Sequence, residues 1–305
     1  MTYVVGITGN IATGKSLVLG RLADCGAYCI DADKMAHDCM RKGTAVWREI
    51  RRQFGDGILS PDGEVNRAAL GRIVFADPDA LRTLESIVHP AVRSWIEQAL
   101  VSAGHAVVVI EAIKLLEAGL SEQCQAVWVT TCSEEEQVRR LVHKRGLSRG
   151  DAWLRVRAQP PASEKVVRAD ILLENEGAPE DLLATVDSEW REVEEGRAPG
   201  MGSGPSRPYA LDGGWAVREH RHIASANRLG KCAWSLSVSA PSRMPRLCRH
   251  LLPAVEDLCR RQGDRQLVLH VPERIGYLQF MQGVGYEENS DGRREPGTIA
   301  FSRRL

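Results

Sequence analysis

Residues 3–16 read YVVGITGNIATGKS, in which a short apolar run leads into a glycine-rich turn. Gly9, Gly14, Lys15 and Ser16 fit the spacing G-x-x-x-x-G-K-[ST]. In that pattern backbone N–H groups surround a di- or triphosphate, the lysine reaches the terminal phosphates and the hydroxyl binds Mg²⁺. The apolar run predicts a buried parallel strand, and apolar residues at helical spacing follow the turn. Because the turn joins a strand to a helix, we expect a nucleotide-binding loop rather than a plain Gly-rich turn.

Strand and helix signals continue to alternate after this turn. Strands are predicted at 3–8, 26–30, 105–111, 125–131 and 170–173. This alternation is typical of a three-layer α/β fold, a parallel sheet with helices on both faces. The segment 34–100 is too long and too helical for a simple crossover, so it predicts an inserted helical subdomain.

A Gly/Pro/Ser-rich stretch, EGRAPGMGSGPSRP at 195–208, interrupts the alternation. We expect it to bury nothing and interpret it as a linker. The predicted organisation is a first domain over 1–196, a linker over 197–208 and a smaller α/β domain over 209–305. With 305 residues, 43% of them hydrophobic, the chain can build two cores.

Charge divides the chain at the same place. Overall, 40 Lys and Arg balance 40 Asp and Glu. Residues 197–305 carry 17 basic and 10 acidic side chains, a net charge of +7, which leaves 23 and 30, a net charge of −7, before them. The two parts therefore differ in electrostatic character. We do not expect nucleic acid as a partner.

Composition also bears on the compartment. No apolar run approaches the ~20 residues that span a bilayer, and the N-terminus enters a strand without the signature of a signal peptide. We therefore expect a cytoplasmic protein with no membrane partner. The eight cysteines form no C-x-x-C pair and no His/Cys cluster at zinc spacing, so we expect reduced thiols rather than disulfides or a zinc site.

Two carboxylates, Asp31 and Asp33, follow the second predicted strand in the sequence DADKMAH, residues 31–37. Ligands of open α/β sheets bind at the carboxyl ends of the strands, so a carboxylate here would face the phosphate loop. One carboxylate can accept the proton of an attacking hydroxyl, and another can hold Mg²⁺ or a ribose hydroxyl. A helix N-cap with an acidic first turn explains one of the two equally well.

Together, several stretches resemble the dephospho-coenzyme A kinase family over roughly residues 2–193. They are GITGNIATGKS (6–16), IDADKMAH (30–37), LESIVHPAVR (84–93), CSEEEQVRRLVHKRGLS (132–148), VRAQPPASEK (156–165), ADILLENEG (169–177) and the helix that follows from Pro179. Most are weak alone, but their order and spacing are specific. The resemblance implies a P-loop kinase fold with a helical substrate insertion and a lid. It also implies transfer of the ATP γ-phosphate, with Mg²⁺, to the ribose 3′-hydroxyl of dephospho-coenzyme A.

The resemblance places the nucleotide contacts in the turn and in the loop after the last strand. Lys15 and Ser16 would hold the phosphates and Mg²⁺, while Asn175 and Gly177 would lie in the loop against the adenine. The whole implied set is Gly9, Asn10, Ile11, Ala12, Thr13, Gly14, Lys15, Ser16, Leu17, Asn175 and Gly177.

The catalytic residues that the resemblance implies are Lys15, Asp33 and Arg140. Asp33 is the expected base towards the 3′-hydroxyl, and Asp31 supports the substrate site. Arg140 would project into the lid and neutralise charge on the transferring group, and a solvated helix face is the alternative. His89 is as well explained by a structural helix start as by a ligand in the substrate cleft.

The sequence departs from the family pattern at a few positions. Asn10 and Ala12 stand where glycines are usual, and Lys144 replaces a lid arginine. Glu111 takes the acidic position after the third strand, where it would contact Mg²⁺ through a water. Lys114 stands where an apolar residue is expected. None of these changes removes the core chemistry.

Two other functions share the phosphate loop. One is another small-molecule or nucleoside monophosphate kinase, fused to an active N-acetyltransferase domain. The DAD sequence and the AQP run argue against it. The other is a P-loop switch protein without phosphotransferase activity, which has no need of an arginine-bearing lid helix.

The second domain resembles the later half of the GNAT acetyltransferase fold. Paired strands are predicted at 214–224 and 232–240, then a helix at 244–263, a strand at 266–271, a helix at 274–285 and a strand near 298–304. In acetyltransferases of this family a Gly-rich turn binds the pyrophosphate of acetyl-coenzyme A at a helix N-terminus. Here the turn reads SAPSRMPR, which has no glycine, and its prolines remove two N–H donors. A non-catalytic docking or regulatory module is therefore favoured over an acetyltransferase.

The arginines of this second domain leave two interpretations open. The basic domain packs against the acidic first domain, or Arg243, Arg246 and Arg249 bind an acidic partner such as coenzyme A phosphates or nucleic acid. Charge alone does not choose between them.

Overall fold

The computed structural model describes residues 2–102, 104–201, 204–205, 207–211, 214–219, 222–230, 233–262, 264–289 and 298–305. Their strands form two separate sheets, one of five strands and one of seven. The chain divides into two compact units. The first unit holds the residues up to Gly6 together with 26–124, and the second holds 7–25 and 125–305.

The five-stranded sheet carries the predicted α/β fold. Its strands are β1 Tyr3–Thr8, β2 Tyr28–Asp31, β3 Val107–Glu111, β4 Ala126–Thr131 and β5 Ile171–Glu174. They lie in the order β2-β3-β1-β4-β5, and the pairs β2/β3 and β4/β5 run parallel. Every residue of β1 and β4 is buried, as expected for strands of a parallel sheet covered on both faces. The prediction of a parallel sheet with interleaved helices is confirmed.

The helices between these strands begin at residues that favour helix starts. They are α1 Lys15–Asp24, α2 Ala32–Cys39, α3 Ala45–Phe54, α4 Arg67–Ala76, α5 Pro78–Ser102, α6 Glu134–Arg145, α7 Arg149–Arg157, α8 Ala162–Val166 and α9 Pro179–Glu194. Thr44, Asn66 and Ser133 each accept a hydrogen bond from a backbone N–H of the first turn. No helix in the described ranges is both long and apolar enough to cross a membrane.

The first unit contains the helical insertion, in which α2, α3 and α4 pack against the long helix α5. Val88, Val92 and Ile96 recur at four-residue spacing on α5 and are buried. In the second unit, α6 and α7 share a small core made of Val138, Leu141, Ala152 and Val156.

The seven-stranded sheet lies wholly in the second unit. Its strands are β6 Tyr209–Leu211, β7 Gly214–Glu219, β8 His222–Gly230, β9 Ala233–Val238, β10 Gln266–Pro272, β11 Glu287–Glu288 and β12 Thr298–Arg304. They lie in the order β11-β12-β10-β9-β8-β7-β6, with β9 and β10 parallel and the other pairs antiparallel. Two helices, α10 Met244–Arg261 and α11 Ile275–Gly283, flank β10 in the chain.

Two predictions for the second half of the chain are wrong. The segment 214–224 is not one strand, because β7 and β8 pair antiparallel with Glu219 opposite His222. No Gly or Asn-Gly turn signal between the two strands marks the reversal. The expectation that the linker buries nothing is also wrong at its start, since Ala198 is only 1% exposed. Of the predicted elements and linker, residues 202, 203, 206, 220, 221, 232 and 263 lie outside the described residues.

Candidate active site

Two glycines give the phosphate loop its path. Gly9 has a φ of 152° and Gly14 a φ of 107°, conformations that L side chains rarely adopt. A Cβ atom at position 9 would overlap the hydroxyl and carbonyl oxygens of Thr130, and one at position 14 would overlap the amide of Asn175. The two glycines of the sequence pattern therefore let the turn pass close to the ends of β4 and β5.

Ala12 also has a left-handed backbone, with a φ of 59°. This conformation costs an L residue about 1–2 kcal/mol, which explains why glycine is usual here. The alanine packs beside Ile11 against the shared core of α6 and α7. That apolar contact offsets part of the strain, so the departure from the family pattern is tolerated.

Hydrogen bonds inside the loop hold its shape. The hydroxyl of Thr13 donates to the Asn10 carbonyl at 2.8 Å and shares a 2.7 Å hydrogen bond with the hydroxyl of Thr130. Lys15 is 9% exposed, and its Nζ donates to the carbonyl oxygens of Gly9 and Asn10 at 3.0 and 3.2 Å. The ammonium charge therefore lies within the loop, where the motif predicts phosphate.

Gln159 and Pro160 hold the other side of the loop, a role that sequence reasoning missed. Asn10 Nδ2 donates to the Pro160 carbonyl at 2.9 Å, and the Ile11 N–H donates to Gln159 Oε1 at 2.7 Å. Both residues belong to the VRAQPPASEK stretch that carries part of the family resemblance. The stretch itself was a signal, but sequence gives no way to assign its partner in the loop.

Arg140 is a clamp and not a solvated side chain, with 11% of its side chain exposed. Its Nε donates to Glu136, one Nη donates to the Ala12 carbonyl at 3.1 Å, and the other donates to the carbonyl and side chain of Asn175 at 2.7 and 3.0 Å. A weak contact of 3.8 Å with Cys132 Sγ uses the remaining donor. The alternative of a solvated helix face is therefore wrong.

The side chain of Asn175 supports the loop directly. Its Nδ2 donates to the Thr13 carbonyl at 2.9 Å, and the residue is 5% exposed. Gly177 follows on the surface, where a Cβ atom would come within 3.2 Å of Asp181 Oδ2. At the start of α1, Ser16 and Leu17 are exposed, as are Lys144 and Arg145 at the end of α6.

The first unit brings the candidate acceptor residues together. Asp31 caps α2 by accepting from the Lys34 N–H at 2.8 Å, so the N-cap interpretation holds for this carboxylate. Asp33 Oδ2 accepts from the Ile113 N–H at 3.2 Å. Asp31 and Glu111 stand opposite each other in the parallel register of β2 and β3. The three carboxylates therefore belong to the carboxyl ends of two neighbouring strands.

A cavity of about 220 Å³ adjoins Asp33 in the same unit, with a largely apolar lining from α2 and α5. His89 and Lys114 contribute its polar side, and Lys114 Nζ lies 2.6 Å from Glu85 Oε1. Burial lowers the pKa of His89 below its usual 6.5, so the imidazole is neutral at neutral pH. The structure thus places His89 in a cleft as well as in a helix.

The three arginines singled out in the second domain are engaged by carboxylates. Arg243 is fully buried, and its Nη2 lies 3.0 Å from Glu189 Oε2. Arg246 and Arg249 lie 2.7 and 3.1 Å from Asp170 Oδ1. The structure thus engages the charge of these arginines within the chain, and binding of an external acidic partner stays a prediction.

Comparison with known proteins decides the family. The family model for dephospho-CoA kinase matches residues 3–181, which include the phosphate loop, the carboxylates after β2 and β3, α6 and Asn175. The chain belongs to the dephospho-CoA kinase family. It is accordingly an ATP-using dephospho-CoA kinase over this part of its length.

Relatives of this kinase support the assignment at substantial identity. The dephospho-CoA kinase of Geobacter sulfurreducens is 43% identical over 190 residues, which cover 61% of this chain and 96% of that protein. That of Symbiobacterium thermophilum is 42% identical over 205 residues, 66% of this chain and 86% of that protein. The crystal structure of TT1252 from Thermus thermophilus is 35% identical, with a TM-score of 0.56, and covers 63% of this chain and 98% of that one. The seven-stranded sheet of the kinase lies beyond the residues that the family model matches.

Proposed function

We propose that the loop from Gly9 to Leu17 binds the phosphates of ATP and that Asp33 activates the ribose 3′-hydroxyl of dephospho-CoA. The observation that carries the proposal is the loop, whose backbone is held by Thr130, Gln159 and Asn175. These hydrogen bonds hold the loop in one conformation. Donors that need no reorganisation stabilise charge on a transferring phosphoryl group most effectively.

The residues at the start of α1 fit a metal–nucleotide complex. Ser16 presents an exposed hydroxyl directly after Lys15, and the N-terminus of α1 favours anions. Mg²⁺, when bound, neutralises charge on the phosphates. Ser16 would hold it, and Glu111 is the proposed second contact, through a water.

Asp33 is proposed as the base because its carboxylate is oriented. The Ile113 N–H fixes Oδ2, and the other oxygen can accept the proton of the 3′-hydroxyl. Asp31 is proposed to support the substrate site from the cap of α2. His89, neutral at the operating pH, can act there by hydrogen bonding and not by charge.

Arg140 is proposed to act by positioning. Its donors are committed to Glu136, Ala12, Cys132 and Asn175, so its guanidinium joins the lid helix α6 to the phosphate loop. The same cation adds positive potential next to the loop, which favours bound phosphate.

An ADP-release assay on the full chain tests the proposal. With Mg²⁺ present, the γ-phosphate of ATP should be transferred to dephospho-CoA, which gives ADP and coenzyme A. Coenzyme A itself, which already carries the 3′-phosphate, is the matched control and should release none. Preferential phosphorylation of a nucleoside monophosphate would overturn the proposal in favour of the alternative kinase.

For the second sheet we propose a non-catalytic packing module, supported by the pairing of its arginines. A cavity of about 610 Å³ adjoins the end of β9, and its lining includes the carboxylates of Glu174, Glu189 and Glu192 with one arginine, Arg274. Such a lining disfavours an anionic pyrophosphate. Incubation of the full chain with acetyl-CoA and amine acceptors should release no thiol, and thiol release would establish an acetyltransferase instead.

A further inference from the structure

Helix α11, which follows β10 in the chain, contacts the carboxyl ends of β4 and β5 together with the residues just before it. Thr131 and Glu174 stand opposite each other at these ends. The hydroxyl of Thr131, a 1% exposed residue, donates to Gln279 Oε1 at 2.5 Å. Glu174 accepts from Arg274 Nε at 2.9 Å and from the Gly276 N–H at 2.8 Å. The segment 274–279 therefore binds both strand ends.

The approach is close because Gly276 has no side chain. A Cβ atom there would overlap Glu174 Oε1 and a methyl of Leu172. The opposite end of β5 is held as well, since Asp170 accepts from both Arg246 and Arg249. The module is thus attached at both ends of β5, and residues 274–279 are fixed against its carboxyl end.

Two short routes lead from these contacts to the phosphate loop. Thr130 precedes Thr131 on β4, and its hydroxyl is hydrogen-bonded to the hydroxyl of Thr13. Glu174 is followed by Asn175, whose amide donates to the Thr13 carbonyl. Both routes converge on Thr13, two residues before Lys15.

We propose that residues 274–279 form a built-in support for the nucleotide loop, with Gln279 and Arg274 as positioning residues that tighten ATP binding. The proposal rests on the proposed role of the loop in binding ATP. The support comes from outside the matched family domain, which ends at residue 181. Each contact of residues 274–279 fixes a strand-end residue that is adjacent in sequence to a residue bonded to the loop. Loss of such a contact therefore lets the loop sample other conformations. Ordering the loop again when ATP binds costs free energy and lowers the affinity.

A double-mutant cycle in the full chain tests the proposal. Gln279→Ala and Thr131→Val each remove one partner of the same hydrogen bond. We expect each to raise the Kd for ATP, measured by calorimetry, about fivefold, and the double variant to raise it no further. The KM for dephospho-CoA should change less than about twofold in Gln279→Ala. Gln266→Ala, an exposed glutamine on β10, is the matched control and should bind ATP like the unmodified chain.

The outcomes distinguish an effect on ATP binding from an effect on the stability of the fold alone. An unchanged Kd for ATP in Gln279→Ala, with a lowered melting temperature, would overturn the proposal, as would additive effects in the double variant. If Gln279→Ala does not fold, Arg274→Ala replaces it and must raise the same Kd. If the unmodified chain binds ATP but does not phosphorylate dephospho-CoA, the proposed function fails, while the Kd series still decides the role of residues 274–279.

Discussion

Replacing Arg243 by methionine should destabilise the chain strongly, because it removes the cation from a buried ionic cluster. The guanidinium is 0% exposed, and its Nη2 lies 3.0 Å from Glu189 and 3.8 Å from Glu192, while Nη1 lies 3.9 Å from Glu219. Glu192 keeps an ion pair with Arg197 after the substitution. Glu189 keeps only the hydroxyl of Ser242 among the contacts described here. One buried carboxylate is then left without a cation.

The magnitude follows from this geometry. Two unit charges 3.0 Å apart attract by roughly 5 kcal/mol at an effective dielectric constant of about 20. Removing one partner of a buried pair costs about 3–5 kcal/mol in practice, a large part of the ~5–15 kcal/mol that holds a protein folded. We therefore expect Arg243→Met to lower the free energy of unfolding by about 3–5 kcal/mol.

Urea denaturation, followed by circular dichroism, measures this loss. Arg261→Met is the matched control, because the Arg261–Asp257 pair has side chains 77% and 51% exposed and should cost less than about 1 kcal/mol. Adding Glu189→Gln to Arg243→Met should restore part of the stability, since it removes the unpaired charge. A loss below about 1 kcal/mol in Arg243→Met, or a further loss in the double variant, would refute the reasoning.

Three other predictions concern the loop, the base and pH. Lys15→Ala should lower turnover by ~10³-fold or more in the ADP-release assay, and Asp33→Asn by ~10²–10⁴-fold with an unchanged Kd for ATP; near-normal turnover of either would remove that residue from the chemistry. Gly14→Ala should weaken ATP binding at least about tenfold, because the methyl group enters a left-handed position that is already filled, and normal calorimetric affinity would contradict this. Burial lowers the pKa values of His89 and His222 in the folded chain, so the unfolded chain binds more protons and stability should fall as pH drops below 6.5. Urea midpoints at about pH 7.5 and about pH 5.5 measure the fall, which His89→Gln and His222→Gln should reduce.

The first sheet could be predicted closely because buried parallel strands leave short apolar runs in the sequence. The prediction that the segment 34–100 is helical is confirmed by α2 to α5. The second sheet was harder, and 214–224 reads as one strand because no Gly or Asn-Gly turn signal separates β7 from β8. The short strand β6 left no signal, since three residues are too few to show a period. The resemblance of this half to acetyltransferases stays a prediction.

In the candidate site, local features were predictable and distant contacts were not. The N-cap at Asp31 is predictable from the sequence, because a cap involves residues only three apart. The clamp made by Arg140 joins residues 128 and 35 positions away. The contact of Gln159 with Ile11 spans 148 positions. No periodicity or spacing reports such pairs.

By itself the sequence determined the nucleotide loop, because the spacing of Gly9, Gly14, Lys15 and Ser16 and the flanking strand and helix are local properties. It also determined that residues 197–305 carry excess positive charge. Only the tertiary structure decided where that charge goes. Arg243 and Arg246 pair with carboxylates 54 and 76 positions earlier in the chain. Because a buried charge without a partner is costly, these arginines pair with carboxylates inside the protein.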